Sequence, residues 1–89
     1  MSVAVAARVF GSEILLALIR YYRASPGTTQ QSAAEALSLS QQLVSSNTRI
    51  LTDAELVVGA ARGRRGGRYH VDEARLQELL KALEAYLVD

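Results

Sequence analysis

Five side chains in the middle of the chain, Gln41, Gln42, Ser45, Ser46 and Arg49, have types and spacing suited to one chemistry. All carry neutral or cationic hydrogen-bonding groups, and none is acidic. A glutamine amide offers a donor and an acceptor together, which matches N6 and N7 of adenine; an arginine fork matches O6 and N7 of guanine. The serines are less selective and suit a phosphate as well as a base. These five share one face of a helix whose opposite face carries Val44, Thr48 and Leu51 at intervals of four and three. An ordinary solvated helix surface is the competing reading of the same face.

A second cluster follows. Arg62, Arg64, Arg65 and Arg68 alternate with Gly63, Gly66 and Gly67, and no acid lies among them. Cations this close repel one another in a free protein, and phosphate relieves the repulsion. Glycine lets such a loop enter a narrow groove, where arginine is favoured by the negative potential. A solubilising loop and an RNA-binding Gly/Arg segment are the alternatives for this run.

Other chemistries find little support. There is no cysteine and a single histidine, His70. That excludes a disulfide framework and a thiolate metal site. His70 is expected to point outward from a strand, as a structural residue or a phosphate contact. No strained nucleophile turn, catalytic triad or phosphate-binding glycine loop before a helix is visible. No enzyme activity, cofactor or metal is therefore expected. No apolar run approaches the roughly 20 residues of a membrane span. Met1 to Phe10 lacks a basic head before a long apolar stretch, so no signal peptide is expected, and the expected location is cytoplasmic, at a bacterial or archaeal nucleoid.

The formal net charge of +1 hides an uneven distribution. Residues 41–71 hold five arginines against Asp53 and Glu55, whereas residues 72–89 hold Arg75 and Lys81 against five acids. The middle of the chain suits a polyanion and the tail does not.

The elements that must position these residues can be read from capping and periodicity. The 89 residues suit one domain. Its N-terminal helices occupy residues 1–23, with Phe10-Gly11-Ser12 as the break and Ser12 as the second cap. Ile14, Leu15, Leu18 and Ile19 make that second helix a core element. Ala24 to Thr28 is a turn around Pro26-Gly27, and Thr28 or Thr29 caps the next helix. Residues 28–54 then read as helix, Leu37-Ser38-Leu39-Ser40 turn, and a second helix from Ser40 to residue 54. This is a helix-turn-helix, whose second helix enters the DNA major groove. Residues 56–71 read as a two-stranded hairpin with Tyr69 and Val71 inward, and Asp72 caps a last helix through residue 88. That helix, about 24 Å long, carries Leu76, Leu79, Leu80, Leu83 and Leu87. These are expected to serve both the chain's own core and a seam with a second copy. A chain this short buries only about 60–65% of its unfolded surface, so dimerisation would support its stability.

The order helix, helix, helix-turn-helix, hairpin, helix is that of a winged helix, mainly α with a small β-hairpin. The run Leu37-Ser-Leu-Ser-Gln-Gln-Leu-Val-Ser-Ser-Asn-Thr-Arg-Ile-Leu-Thr-Asp-Ala-Glu-Leu-Val57, with Gly63-Arg-Arg-Gly-Gly-Arg-Tyr69 and Val71, resembles the bacterial ArsR- and MarR-type transcriptional regulators. The likeness lies in the Leu-x-Leu-Ser turn, the Val-Ser pair of the second helix and a hairpin ending in an aromatic residue. It covers residues 12–72 well and the flanking helices by type only. The resemblance implies a homodimer on double-stranded DNA, occupying an operator and blocking polymerase. Gln41, Gln42, Ser45, Ser46 and Arg49 would then read bases, with Thr29 and Gln30 at the start of the helix-turn-helix. Arg62, Arg64, Arg65 and Arg68 would grip minor groove or phosphate.

Two departures stand out. Metal sensing through cysteine pairs or histidine clusters does not carry over, because those residues are absent. Glu55 stands where the family usually has glycine, so a non-glycine residue is expected in the left-handed region at the helix exit. Two other functions fit the same pattern: an architectural or recombination-directionality DNA-binding protein, and a winged helix used only for protein–protein contact.

Overall fold

The computed structural model describes residues 2–59 and 67–88. Helix α1 spans Ser2–Phe10, α2 Glu13–Ala24, α3 Gln30–Leu37 and α4 Gln41–Asp53; strands β1 (Val57–Gly59) and β2 (Tyr69–Val71) precede α5 (Glu73–Val88). This is a winged helix-turn-helix, with α3 and α4 as the two helices of the motif and β1–β2 as the base of the wing. Arg62, Arg64 and Arg65 lie outside the described residues.

Helices α2 to α5 each start where a side chain satisfies a free amide of the first turn. Ser12 Oγ accepts from the Leu15 amide at 3.2 Å, Thr29 Oγ1 from Ser32 at 3.1 Å, Ser40 Oγ from Leu43 at 3.1 Å, and Asp72 Oδ1 from Arg75 at 3.0 Å. The two motif helices also end alike. Ser38 (φ 55°) and Glu55 (φ 64°) are the non-glycine residues with positive φ among those described. Past each, the chain folds back: the Leu39 amide donates to the Ala34 carbonyl and the Leu56 amide to the Leu51 carbonyl, both at 3.0 Å. These are Schellman closures, which bring the following leucine back onto the helix it has just left. Leu56 is fully buried, as is Leu51.

Helix α2 runs through the middle. Leu15, Leu18, Ile19 and Tyr22 are buried on it, against Ala6 and Val9 of α1, Val44 and Leu51 of α4, and Leu76 and Leu79 of α5. Each of the leucine, isoleucine and valine side chains contributes about 1.5–3 kcal/mol by leaving water. Helix α1 packs along α5, and this divides the leucine stripe. Leu76 and Leu79 are 8% and 0% exposed within the single chain, where they belong to the core with residues of α1 and α2. Leu83 packs partly on the core, while Leu80 and Leu87 stay 42% and 70% exposed. Helical periodicity grouped the five leucines but could not say that α1 covers two of them.

The hairpin is antiparallel, with Val57 opposite Val71, Val58 opposite His70 and Gly59 opposite Tyr69. Thr28 adds a third, single-residue bridge to Tyr69: the Tyr69 amide donates to the Thr28 carbonyl at 2.9 Å, and the Gly27 amide to the Tyr69 carbonyl at 3.0 Å. Gly27 holds φ 80° to make that approach, a conformation glycine adopts without strain. The turn before α3 is thereby fastened to the base of the wing.

Candidate nucleic-acid interface

Helix α4 sorts its residues by face. Val44, Thr48 and Leu51 are buried at 0%, 1% and 0% exposure. Gln41, Gln42, Ser45, Ser46 and Arg49 are all exposed. Among the described residues, Gln41, Gln42, Ser45 and Arg49 have no side-chain hydrogen-bond or ion-pair partner. Ser46 differs: its hydroxyl donates to the Leu43 carbonyl of its own helix at 3.1 Å, leaving it only an acceptor. The buried face holds one polar contact. Tyr22 Oη and Thr48 Oγ1 lie 2.8 Å apart, each satisfying the other out of reach of water. Burial pushes the Tyr22 phenol above its ordinary pKa, and the bond to Thr48 pulls it partly back.

Tyr69 ties the wing to α2 and α3. Its ring lies 5.5 Å from that of Tyr22, which in turn meets Tyr21 edge-on at 6.1 Å. Its hydroxyl accepts a hydrogen bond from Gln30 Nε2 at 2.9 Å. A Cβ on Gly59 would stand 2.9 Å from the Tyr69 ring, so glycine there leaves the ring room to lie across the strand. Tyr22 continues the α2 stripe four residues after Leu18, and that spacing was the signal that could have found it.

At the start of α3, Thr29 and Gln30 are both half-buried. Thr29 is committed to its helix: its hydroxyl accepts from the Ser32 amide and donates to Ser32 Oγ at 3.1 Å. Gln30 lines a groove of about 550 Å³ together with Gln42, Ser45, Arg49 and Tyr69. Arg68 is exposed and donates to the Gly27 carbonyl at 3.1 Å, which leaves most of its guanidinium donors outward. His70 is exposed on β2, as expected.

Charge separates the two sides of the hairpin. Among the described residues no carboxylate lines the groove facing α4. The hollow on the other side, between hairpin and α5, is lined by Glu55, Asp72 and Glu78 with Arg75. Arg75 binds the Ala54 carbonyl at 2.9 Å and Glu78 at 3.1 Å, joining α5 to the end of α4. Arg23 and Glu73 join α2 to the start of α5 at 2.8 Å, an exposed pair that keeps the guanidinium more firmly protonated. Among the described residues no three His, Cys, Asp or Glu side chains gather as a metal-ligand set, and no helix is long and apolar enough to cross a membrane.

No protein-family model matches the chain, and no curated protein matches it in sequence. Among solved structures it is similar to one described as "Possible transcriptional regulator for arsenical resistance". The TM-score is 0.77 at 25% identity, and the match covers 99% of this chain and 85% of that one. The likeness therefore takes in α1 and α5 as well as the motif between them. It is consistent with an ArsR-type regulator, and the neighbour's description is that of a possible regulator, not of an enzyme.

Proposed function

We propose that the chain is a sequence-specific, double-stranded-DNA-binding transcriptional regulator that acts as a homodimer. The observation that carries this reading is the outer face of α4. Gln41, Gln42, Ser45 and Arg49 stand exposed and, among the described residues, without side-chain partners, on a helix fixed from behind by Val44, Thr48 and Leu51. A face held rigidly and left unsatisfied is what base-edge recognition requires. The regulator neighbour supports the same conclusion at the level of the whole fold.

In this reading α4 lies in the major groove. Gln41, Gln42 and Arg49 take base edges, and Ser45 and Ser46 take bases or phosphate. Thr29 caps α3 and so sets Gln30 against the backbone. Arg62, Arg64, Arg65 and Arg68 carry the wing onto minor groove or phosphate. Leu80, Leu83 and Leu87 form the seam with the second copy, since α1 and α2 leave them free or half-free. Occupying the operator is itself the regulatory act.

Salt dependence tests the reading against a purely protein-binding winged helix. Affinity for a duplex should fall steeply and linearly on a log–log plot as salt rises, through counterion release. A chain that binds no duplex at low salt would refute it. DNA bending without sequence preference would favour the architectural role.

A further inference from the structure

Resting on the DNA-binding reading above, we propose that Tyr69 is itself a DNA ligand: its phenolic hydroxyl donates to one backbone phosphodiester lying in the groove between α4 and β2. Tyr69 is half-buried and belongs to neither the base-reading face nor the arginine cluster. Its oxygen accepts from Gln30 Nε2 at 2.9 Å, so its own hydrogen is not spent on that bond. Among the described residues that hydrogen has no acceptor. A hydroxyl that accepts one hydrogen bond is polarised into a better donor for the next.

The groove suits an anion. Among the described residues no carboxylate lines it, and Arg49, whose guanidinium is taken up by a base edge, still adds a positive field there. The ring does not have to be ordered on binding. Tyr22 backs it at 5.5 Å, Gly59 lies under it, and its backbone is tied to Gly27 and Thr28. A preorganised donor loses little entropy when its ligand arrives.

The ligand is a phosphate rather than a base for a geometric reason. With α4 in the major groove and the wing on the minor groove beside it, the strand dividing the two grooves must cross the space between α4 and the hairpin. That strand presents sugar and phosphate there, while base edges meet the outer face of α4. A neutral donor to phosphate fixes register without reading sequence.

Tyr69→Phe keeps the ring and removes the hydroxyl. Measured by fluorescence anisotropy, it should weaken binding about tenfold on a random-sequence duplex and on a selected operator alike. Its melting temperature should stay close to wild type. On operator duplexes carrying one neutral methylphosphonate linkage at a time, one position per half-site should weaken the wild type but not Tyr69→Phe. A readout that needs no variant is the Tyr69 ring resonance of the wild type, which should move on the normal duplex and not on the one neutralised at that position. Wild-type-like binding by Tyr69→Phe, or no linkage whose effect disappears in it, would overturn this proposal while leaving DNA binding intact. Failure of the wild type to bind any duplex would overturn the underlying reading as well. Inorganic phosphate, titrated on the free protein at constant ionic strength, should shift Tyr69 only weakly; saturation at submillimolar concentration would mean a free-anion site and would overturn the assignment to the backbone.

Discussion

Glu55→Gly should stabilise this protein, and the structure allows the size of the effect to be worked out. Glu55 sits at φ 64° in the closing turn of α4. Its amide donates to the Thr52 carbonyl and the next amide, of Leu56, to the Leu51 carbonyl, each at 3.0 Å. The conformation is therefore fixed by two backbone bonds and by the burial of Leu56. A side chain in the left-handed region costs about 1–2 kcal/mol through its Cβ contact with the backbone. The carboxylate adds about 0.3–1 kcal/mol by standing at the negative end of the helix dipole. Asp72 and Glu78 line the same hollow, so no favourable charge offsets this among the described residues except Arg75, which already binds Glu78. Glycine returns about 0.5–1 kcal/mol of this through the greater freedom of the unfolded chain. The net gain is about 1 kcal/mol, worth roughly 5 °C of melting temperature in a domain of this size. Thermal unfolding by circular dichroism at neutral pH measures it directly. A lower melting temperature for Glu55→Gly would mean that the side chain makes an interaction worth more than the strain, and the argument from backbone geometry would be wrong.

Of four further expectations, the first three rest on the proposed function, the one for the wing on the sequence alone, and the fourth rests on the structure. Gln42→Ala or Arg49→Ala should each cost about 1–3 kcal/mol at a selected site and relax preference at one base pair per half-site; equal losses on random and selected DNA would place them on phosphate instead. Arg64→Ala with Arg65→Ala should weaken all sequences alike and lower the slope of log affinity against log salt by nearly one unit for each phosphate no longer neutralised; an unchanged slope takes the wing off DNA. Leu80→Glu changes a side chain that the single chain leaves 42% exposed, so sedimentation should find a folded monomer for it and a dimer for the wild type, and a wild-type monomer at micromolar concentration would refute the seam. Tyr22→Phe leaves the Thr48 hydroxyl buried without its partner and should cost about 1–3 kcal/mol. Because the folded-state pKa of Tyr22 is raised, its neutral-form contribution is complete below the unfolded value near 10 and is lost as pH rises through the folded one. Urea unfolding across that range should show a shallower alkaline decline in the variant, and an identical decline would mean that Tyr22 does not ionise on unfolding.

The elements that were legible in the sequence are those with a local cause. Ser12, Ser40 and Asp72 stand directly before their helices and cap them in the structure. The left-handed Glu55 was legible through the resemblance, which sets it where the family usually has glycine. What could not be read depends on contacts far apart in sequence. Thr48 fits the α4 stripe by spacing, but only the packed structure brings Tyr22 to its hydroxyl, 26 residues away. The bridge from Thr28 to Tyr69 leaves no periodic signal, since a single residue has no period. The leucines of α5 have helical spacing whether α1 or a second chain covers them, so the division at Leu80 had to come from the packing of α1. At the candidate interface the exposure of the α4 face followed from spacing, whereas Tyr69 carries no polar pattern that would mark it.

The central claim is that α4 reads base pairs as one half of a symmetric pair. Selecting bound sequences from a random duplex pool tests it most directly. A palindromic site should be enriched, with half-sites centred about 34 Å apart, one helical turn, or a multiple of that spacing. A pool that remains unenriched after repeated selection, under low-salt conditions that favour binding, would contradict it.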